Sequence, residues 1–435
     1  MTDDIQARLQ RLRKAGRLRR RQRPRGPEPP PSEQSSPPAV PAPAHDAPAG
    51  ATDLTELPGM EERAGKLGSY LLRTVRYPLA HQQGRICLGD LLALPPAAAG
   101  LLAESPGFDF RRAVFLDTET SGLAGGAGTI VFLTGVGTFE GDAYVVRQYF
   151  ARNPAEERAY LPDLARFVAQ RGGLITFNGR AFDWPLLRSR FILSGVQPPD
   201  EQPHVDLLHP ARRLWRPRLG ACNFGNLERR ILDYQRSGLD VPSYMIPSLW
   251  FSFARNQDNV GEMTAVLYHN LEDIVSMVPL AHVIAATLAG MMAPHPQDWL
   301  ALGRTWQRAG DVEGAERAYR RALDAPQPPA HRAQTLRELA LLLKRQERRQ
   351  EAAVWWEALA GMNRPDDVEA LVELAKYHEW HTGDIEKARA WTLEAMTRAE
   401  TWTQAYRRRE ILAELTHRLE RLEGKRQDGM GRQGS

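Results

Sequence analysis

The chain has 435 residues, 42% of them hydrophobic and 25% charged, which excludes a fibrous or wholly disordered protein and leaves room for about three domains. Its two cysteines, Cys87 and Cys222, lie far apart with no metal-ligand spacing, which excludes a disulfide framework and a cysteine zinc site and predicts a reducing, cytoplasmic compartment. The net charge of +4 hides an asymmetry: residues 1–26 carry ten Lys/Arg against Asp3 and Asp4, so the remainder is acidic, at −4.

Residues 1–58 read as a tail. Ile5, Leu9 and Leu12 allow a frayed helix, an arginine block follows, and the Pro/Ala-rich stretch to Leu57 lacks the apolar mass to offset its ordering entropy. The basic block suits either a solvated arm or a contact arm for nucleic acid. A first folded domain is expected over 59–290. It begins with a hairpin-like lead-in and breaks at Pro95-Pro96-Ala97-Ala98-Ala99. Strands follow at Ala113–Thr118, Thr129–Phe139 and Tyr144–Phe150, then a helix (Ala155–Gln170), a strand (Gly173–Phe177), a helix (Ala181–Ser194), a strand (His204–Leu207) and helices to Ala289. Three strands followed by strand–helix alternation predict an α/β fold, a mixed sheet flanked by helices. The apolar run Val278–Pro294 contains His282 and is short for a bilayer, so it reads as a buried helix and no membrane association is expected.

Beyond Pro296 the pattern turns all-helical, with 296–422 as a repeat domain and 423–435 as a disordered tail. Trp299, Leu302, Gly303, Trp306, Gly310, Ala315, Tyr319 and Ala322 match the tetratricopeptide spacing. A second copy lies 37 residues on, at Leu336, Leu339, Ala340, Leu343, Ala352, Trp356 and Leu359. A third, at Leu371, Leu374, Ala375, His378, Gly383, Ala388 and Ala395, requires one inserted residue. A plain helical bundle is the alternative.

Three segments carry chemistry. In Ala113-Val-Phe-Leu-Asp-Thr-Glu-Thr, Asp117 and Glu119 are two apart on a strand and share a face at its end, where paired hard oxygens suit Mg²⁺ or Mn²⁺; capping or loop-bonding acids remain the alternative. Asp183 follows Asn178, Arg180 and Phe182 at the end of a second buried strand. There it is either an ordinary helix-start acid or a metal ligand beside a base-stacking aromatic. In Tyr268-His269-Asn270-Leu271-Glu272-Asp273, His269 and Asp273 share a helix face, and the imidazole suits proton abstraction from an attacking water. Asp206 and His209 read as a strand end and a helix start, Glu228 as structural, and the glycine-rich loop 122–128 as a rim beside the metal site. A glycosidase pairing of Asp117 with Glu119 is disfavoured, because same-face neighbours cannot flank a sugar from opposite sides.

FLDTETSGL, FNGRAFD and YHNLEDIVSM, in that order, resemble the three motifs of the DEDD superfamily of ribonuclease H-like 3′-5′ exonucleases, and with the helical repeats they resemble its YprB-like family. The resemblance implies a ribonuclease H-like domain followed by tetratricopeptide-type repeats. It implies Asp117, Glu119, Asp183 and Asp273 as ligands of two Mg²⁺ or Mn²⁺ ions, His269 as base, and hydrolysis of phosphodiesters in single-stranded DNA or RNA. Asn178, Phe182 and Arg180 would touch substrate, and the repeats would either hold a protein partner or extend the substrate path. One departure is visible: the superfamily places a His five residues, or a Tyr four, before the last Asp, whereas here Tyr268 stands at five and His269 at four. His269 is favoured by facing geometry, with Tyr268 as the alternative base. A catalytically weak or inactive nucleic-acid-binding scaffold is the alternative function.

Overall fold

A single helical turn at Leu54–Glu56, closed by a capping box between Asp53 and Glu56, is the first element of the computed structural model, which describes residues 53–122 and 128–433, without the side chains of 428–433. Leu54 and Leu57 are buried, so the last residues of the stretch expected as tail belong to the core instead. The rest of that stretch and loop residues 123–127 lie outside the described residues.

Strands β1 (Met60–Gly65) and β2 (Gly68–Pro78) form a hairpin, and β3 (Gln82–Gln83) and β4 (Ile86–Cys87) a small ribbon. Helices α1 (Asp90–Ala93) and α2 (Pro96–Ala103) follow. The proline pair expected to break the chain thus starts α2, because a proline at the first helical position has a suitable φ and lacks an N–H that the first turn would not use.

The central elements are β5 (Ala113–Thr120), β6 (Val131–Glu140), β7 (Ala143–Phe150), α3 (Glu157–Ala169), β8 (Gly173–Thr176), α4 (Asp183–Leu193), β9 (His204–Asp206), α5 (Leu208–Leu219), α6 (Phe224–Leu227), α7 (Ile246–Asn256) and α8 (Val260–Leu288). A π turn over Glu228–Leu232 extends α6. Seven strands form one mixed sheet in the order β1-β2-β7-β6-β5-β8-β9. Pairing is antiparallel from β1 to β5 and parallel across β5, β8 and β9. Because successive side chains alternate, Phe115 packs on one face with Ile274 and Val278 of α8, while Val114 and Leu116 pack on the other with Leu161 and Trp250. Both faces are therefore covered, as the unbroken apolar run before Asp117 requires.

Helix α8 is long and apolar enough to cross a membrane by those two criteria, yet 83% of its most apolar window is buried against the protein, which makes it the core helix. Its close approach depends on β6: a Cβ at Gly135 would lie 2.3 Å from the Asn270 amide oxygen, and one at Gly137 2.7 Å from Ile274.

Seven helices complete the chain: α9 (Trp299–Arg308), α10 (Val312–Asp324), α11 (Pro329–Arg345), α12 (Arg349–Ala360), α13 (Val368–Tyr377), α14 (Ile385–Glu400) and α15 (Ala405–Gln433). Each packs on the next, as a helical repeat region does. A Cβ on Gly303 would meet the Tyr319 ring at 2.6 Å, which explains the small residue opposite a large one. The residue inserted in the third copy is absorbed by a π turn over His378–Thr382. Residues 423–433, expected as tail, continue α15 instead. That last helix is held through Glu379, whose buried carboxylate accepts from Arg418, Arg421 and Lys425 at 2.8–2.9 Å.

Candidate active site

The three sequence segments meet at the carboxyl end of β5. Asp117 and Glu119 leave the same face of the strand, and the pairing register with β6 shifts just after Glu119. Asp183 arrives in the first turn of α4, where its carboxylate accepts from the Thr118 hydroxyl at 2.5 Å and the Thr118 amide at 3.2 Å. The residue between the paired acids therefore fixes the third. Asp273 and His269 come from one face of α8. Nitrogen and oxygen atoms of Glu119, His269 and Asp273 all lie within 4.8 Å of one another.

These groups are held by residues that the motif spacing did not reveal. Asn270 donates to the Asp117 carboxylate at 2.9 Å and accepts from Gln148 at 3.0 Å, reaching the strand only because residue 135, directly opposite Asp117 in the register, is glycine. Arg236 lies on Asp273, is gripped by Glu228 at 2.9 Å, and approaches Asp240 at 3.6 Å. The imidazole of His269 has Nδ1 2.6 Å from the Asp240 carboxylate, while Nε2 faces Ser243 at 3.2 Å, Asp273 at 3.6 Å and Glu119 at 3.9 Å. An acid on one ring nitrogen fixes the tautomer and aims the other at the cluster. Only the fold brings the loop carrying Arg236, Asp240 and Ser243 under α8.

The electrostatics follow from crowding. Burial, with the charges of Asp273, Asp183 and Glu119, pushes the Asp117 carboxyl well above its ordinary range. Glu119 is raised to about 8 by burial and by Asp273 and Asp183, against the opposing pull of His269. Burial raises Asp183 to about 6, although Thr118 stabilises its anion. For His269, burial favours the neutral ring, but Asp273, Asp240 and Glu119 outweigh it and bring the group to about 9. A cluster of hard carboxylate oxygens that cannot all carry charge unaided fits a divalent cation, which would remove that repulsion. Arg236 supplies part of the same neutralisation from the protein itself.

The remaining expected site residues separate. Tyr268 is buried and its hydroxyl accepts from the Ser237 amide at 3.1 Å, so it serves the loop below the site, while its neighbour faces the acids. Asn178, at φ +67°, lines the cleft opening from Asp117 and Asp273. Phe182 is 59% exposed, and the Arg180 guanidinium bonds to the His204 carbonyl. Asp206 is structural, accepting the amides of Asn178 at 2.8 Å, Arg180 at 3.1 Å and Leu208 at 3.1 Å.

Sheet order, strand-end acids and core helix define a ribonuclease H-like nuclease fold, and residues 114–285 match the model of the RNase H superfamily. The class points to nucleic-acid processing at a divalent-metal site. Over 328 residues the chain is 32% identical to a Bacillus subtilis (strain 168) protein named uncharacterized protein YprB, covering 73% of this chain and 78% of that one. The chain belongs to the YprB family.

Proposed function

We propose that this protein is a metal-dependent 3′-5′ exonuclease acting on single-stranded DNA or RNA. The observation that carries this reading is the convergence of Asp117, Glu119, Asp183 and Asp273 around a histidine whose far nitrogen is pinned by Asp240. These carboxylates would hold two Mg²⁺ or Mn²⁺ ions, which activate water and offset the negative charge that develops on the phosphodiester. Cations on the acids would offset the charges that hold His269 protonated, so that Nε2, 3.6 Å from Asp273 and 3.9 Å from Glu119, would be free to take the proton of the attacking water. The P–O3′ bond then breaks, the leaving O3′ takes a proton from solvent, and a nucleoside 5′-phosphate departs, leaving a 3′ hydroxyl on the shortened strand. Asp240 holds the ring in that orientation, and Thr118 and Asn270 keep Asp183 and Asp117 from turning away. The helical stack is proposed to be of tetratricopeptide type and to bind a partner protein, and the site of action is taken to be the cytoplasm.

The test is digestion of 5′-labelled single-stranded DNA and RNA oligonucleotides with Mg²⁺, Mn²⁺ or EDTA. A metal-dependent ladder shortening from the 3′ end, absent in Asp117→Asn, is expected. One observation favours a second reading, a non-cutting nucleic-acid scaffold: Arg236 already satisfies Asp273. Binding without cleavage under any metal, in wild type and in Arg236→Gln alike, would replace the exonuclease with that scaffold.

A further inference from the structure

Asp117 and Asp273 form only one end of a cleft of about 600 Å³. Helix α5 also lines it, contributing Arg212 and Arg216, one helical turn apart on a shared face. Both are exposed, and neither has a carboxylate partner among the described residues. Their neighbours on the same helix are paired: Arg213 lies 3.1 Å from Glu104, and Arg218 lies 2.9 Å from Asp298. Phe177 and Phe224 line the same cleft, half-buried and packed against one another with ring centroids 4.7 Å apart.

Two like charges a turn apart weaken a helix slightly, and this pair lines the same cleft as Asp117 and Asp273, where an anion would offset their repulsion. Cations tracking alongside aromatic faces are what a single-stranded nucleic acid requires, since its phosphates need charge and its unstacked bases need a π surface. A duplex, with its bases stacked on each other, would leave Phe177 and Phe224 without a ligand. We propose that Arg212, Arg216 and the Phe177–Phe224 surface form the track that carries a single strand to the acid cluster. This assignment rests on the nuclease reading for its destination, but its binding chemistry is independent of cleavage.

The experiment uses the full chain and a 5′-fluorescein single-stranded oligonucleotide, with affinity read by anisotropy in EDTA across a salt series. The variant Arg212→Gln/Arg216→Gln is compared with Arg317→Gln/Arg321→Gln, a pair of exposed arginines at the same spacing on α10. About tenfold weaker binding is expected for the α5 variant, with the log–log salt slope reduced by about 1.4, or 0.7 for each single-strand phosphate released. The α10 variant should keep the wild-type slope, and an equal-length duplex should compete poorly. Phe224→Leu should weaken binding while leaving the slope unchanged. An unaltered affinity and slope in the α5 variant, an equal loss in the α10 variant, or effective duplex competition would overturn the track. Arginine-dependent binding without cleavage would remove the nuclease reading and leave the track. Cleavage with unchanged KM and salt slope in the α5 variant would do the reverse.

Discussion

Asp117, Glu119 and Asp183 share a space where each raises the cost of ionising the others, and that cost is written into stability. All three carboxyls are shifted upward, so the metal-free folded protein holds more protons than the unfolded chain once pH passes the ordinary carboxylate range. His269, raised to about 9, acts in the same direction above its ordinary value of 6.5. Stability in EDTA should therefore fall as pH rises from 5 to 9, with Tm decreasing by several degrees. Mn²⁺ should restore it most at the alkaline end, by mass action on the folded state. Asp117→Asn should flatten the decline and raise the metal-free Tm at pH 8; a pH-independent Tm in wild type would contradict the electrostatic account. At the same scale, His269→Gln should lower kcat by roughly 10²- to 10⁴-fold, the usual worth of a general base. Tyr268→Phe should leave kcat unchanged and cost only about 1 kcal/mol through the lost Ser237 contact, read by urea denaturation. The opposite pattern would make the tyrosine the base.

Between elements, the most charged joint is Glu379 with Arg418, Arg421 and Lys425, which docks α15 onto the π turn. Burial opposes the Glu379 anion, but its hydrogen-bonding cations, Arg421 and Lys425 foremost, outweigh that and hold its carboxyl below the ordinary value. Its contribution is present at neutral pH and is lost as pH falls below about 4.5 and through the lower folded-state value. Amide exchange in α15 should accelerate there before that of α8. Glu379→Gln should reproduce this at pH 7 with a loss of about 1–2 kcal/mol, because the three cations lose their counter-charge but keep partial access to water. On the sheet, Gly135→Ala would drive a methyl into Asn270. Lower stability together with weaker Mn²⁺ binding is expected, since Asn270 orients Asp117.

For the whole molecule, the nuclease body and the helix stack are joined by buried groups. Asp298, 1% exposed, pairs with Arg218 of α5, and the Trp306 indole donates to the Leu288 carbonyl at 2.7 Å. The Asp298 carboxyl is nonetheless raised, chiefly by its burial, so the ion pair only partly offsets desolvation. Asp298→Ala strands Arg218 and should split a single calorimetric transition into two. At the other end, a chain beginning at residue 59 lacks Leu54 and Leu57, which one beginning at residue 53 keeps. Their burial is worth roughly 1.5–3 kcal/mol each, a difference that thermal melts of the two proteins would resolve.

Strand-end acids, a buried apolar run before them, and a histidine four residues before an aspartate are local patterns, so the sequence alone determined the sheet class, the acids and the facing histidine. The helix spacing likewise marked the all-helical repeat region after Pro296. What pairs with what is a property of distance in space, and only the tertiary structure decided it. Arg236 reached Asp273, Asp240 reached His269, and Asn270 reached Asp117 through segments 29 to 153 residues apart in the chain or through a glycine's missing side chain. The same holds for Leu54 and Leu57, whose Pro/Ala-rich surroundings carry no sign of the hydrophobic surface that covers them. Residue type and period set what each segment can do; the fold sets which charges it must do it beside.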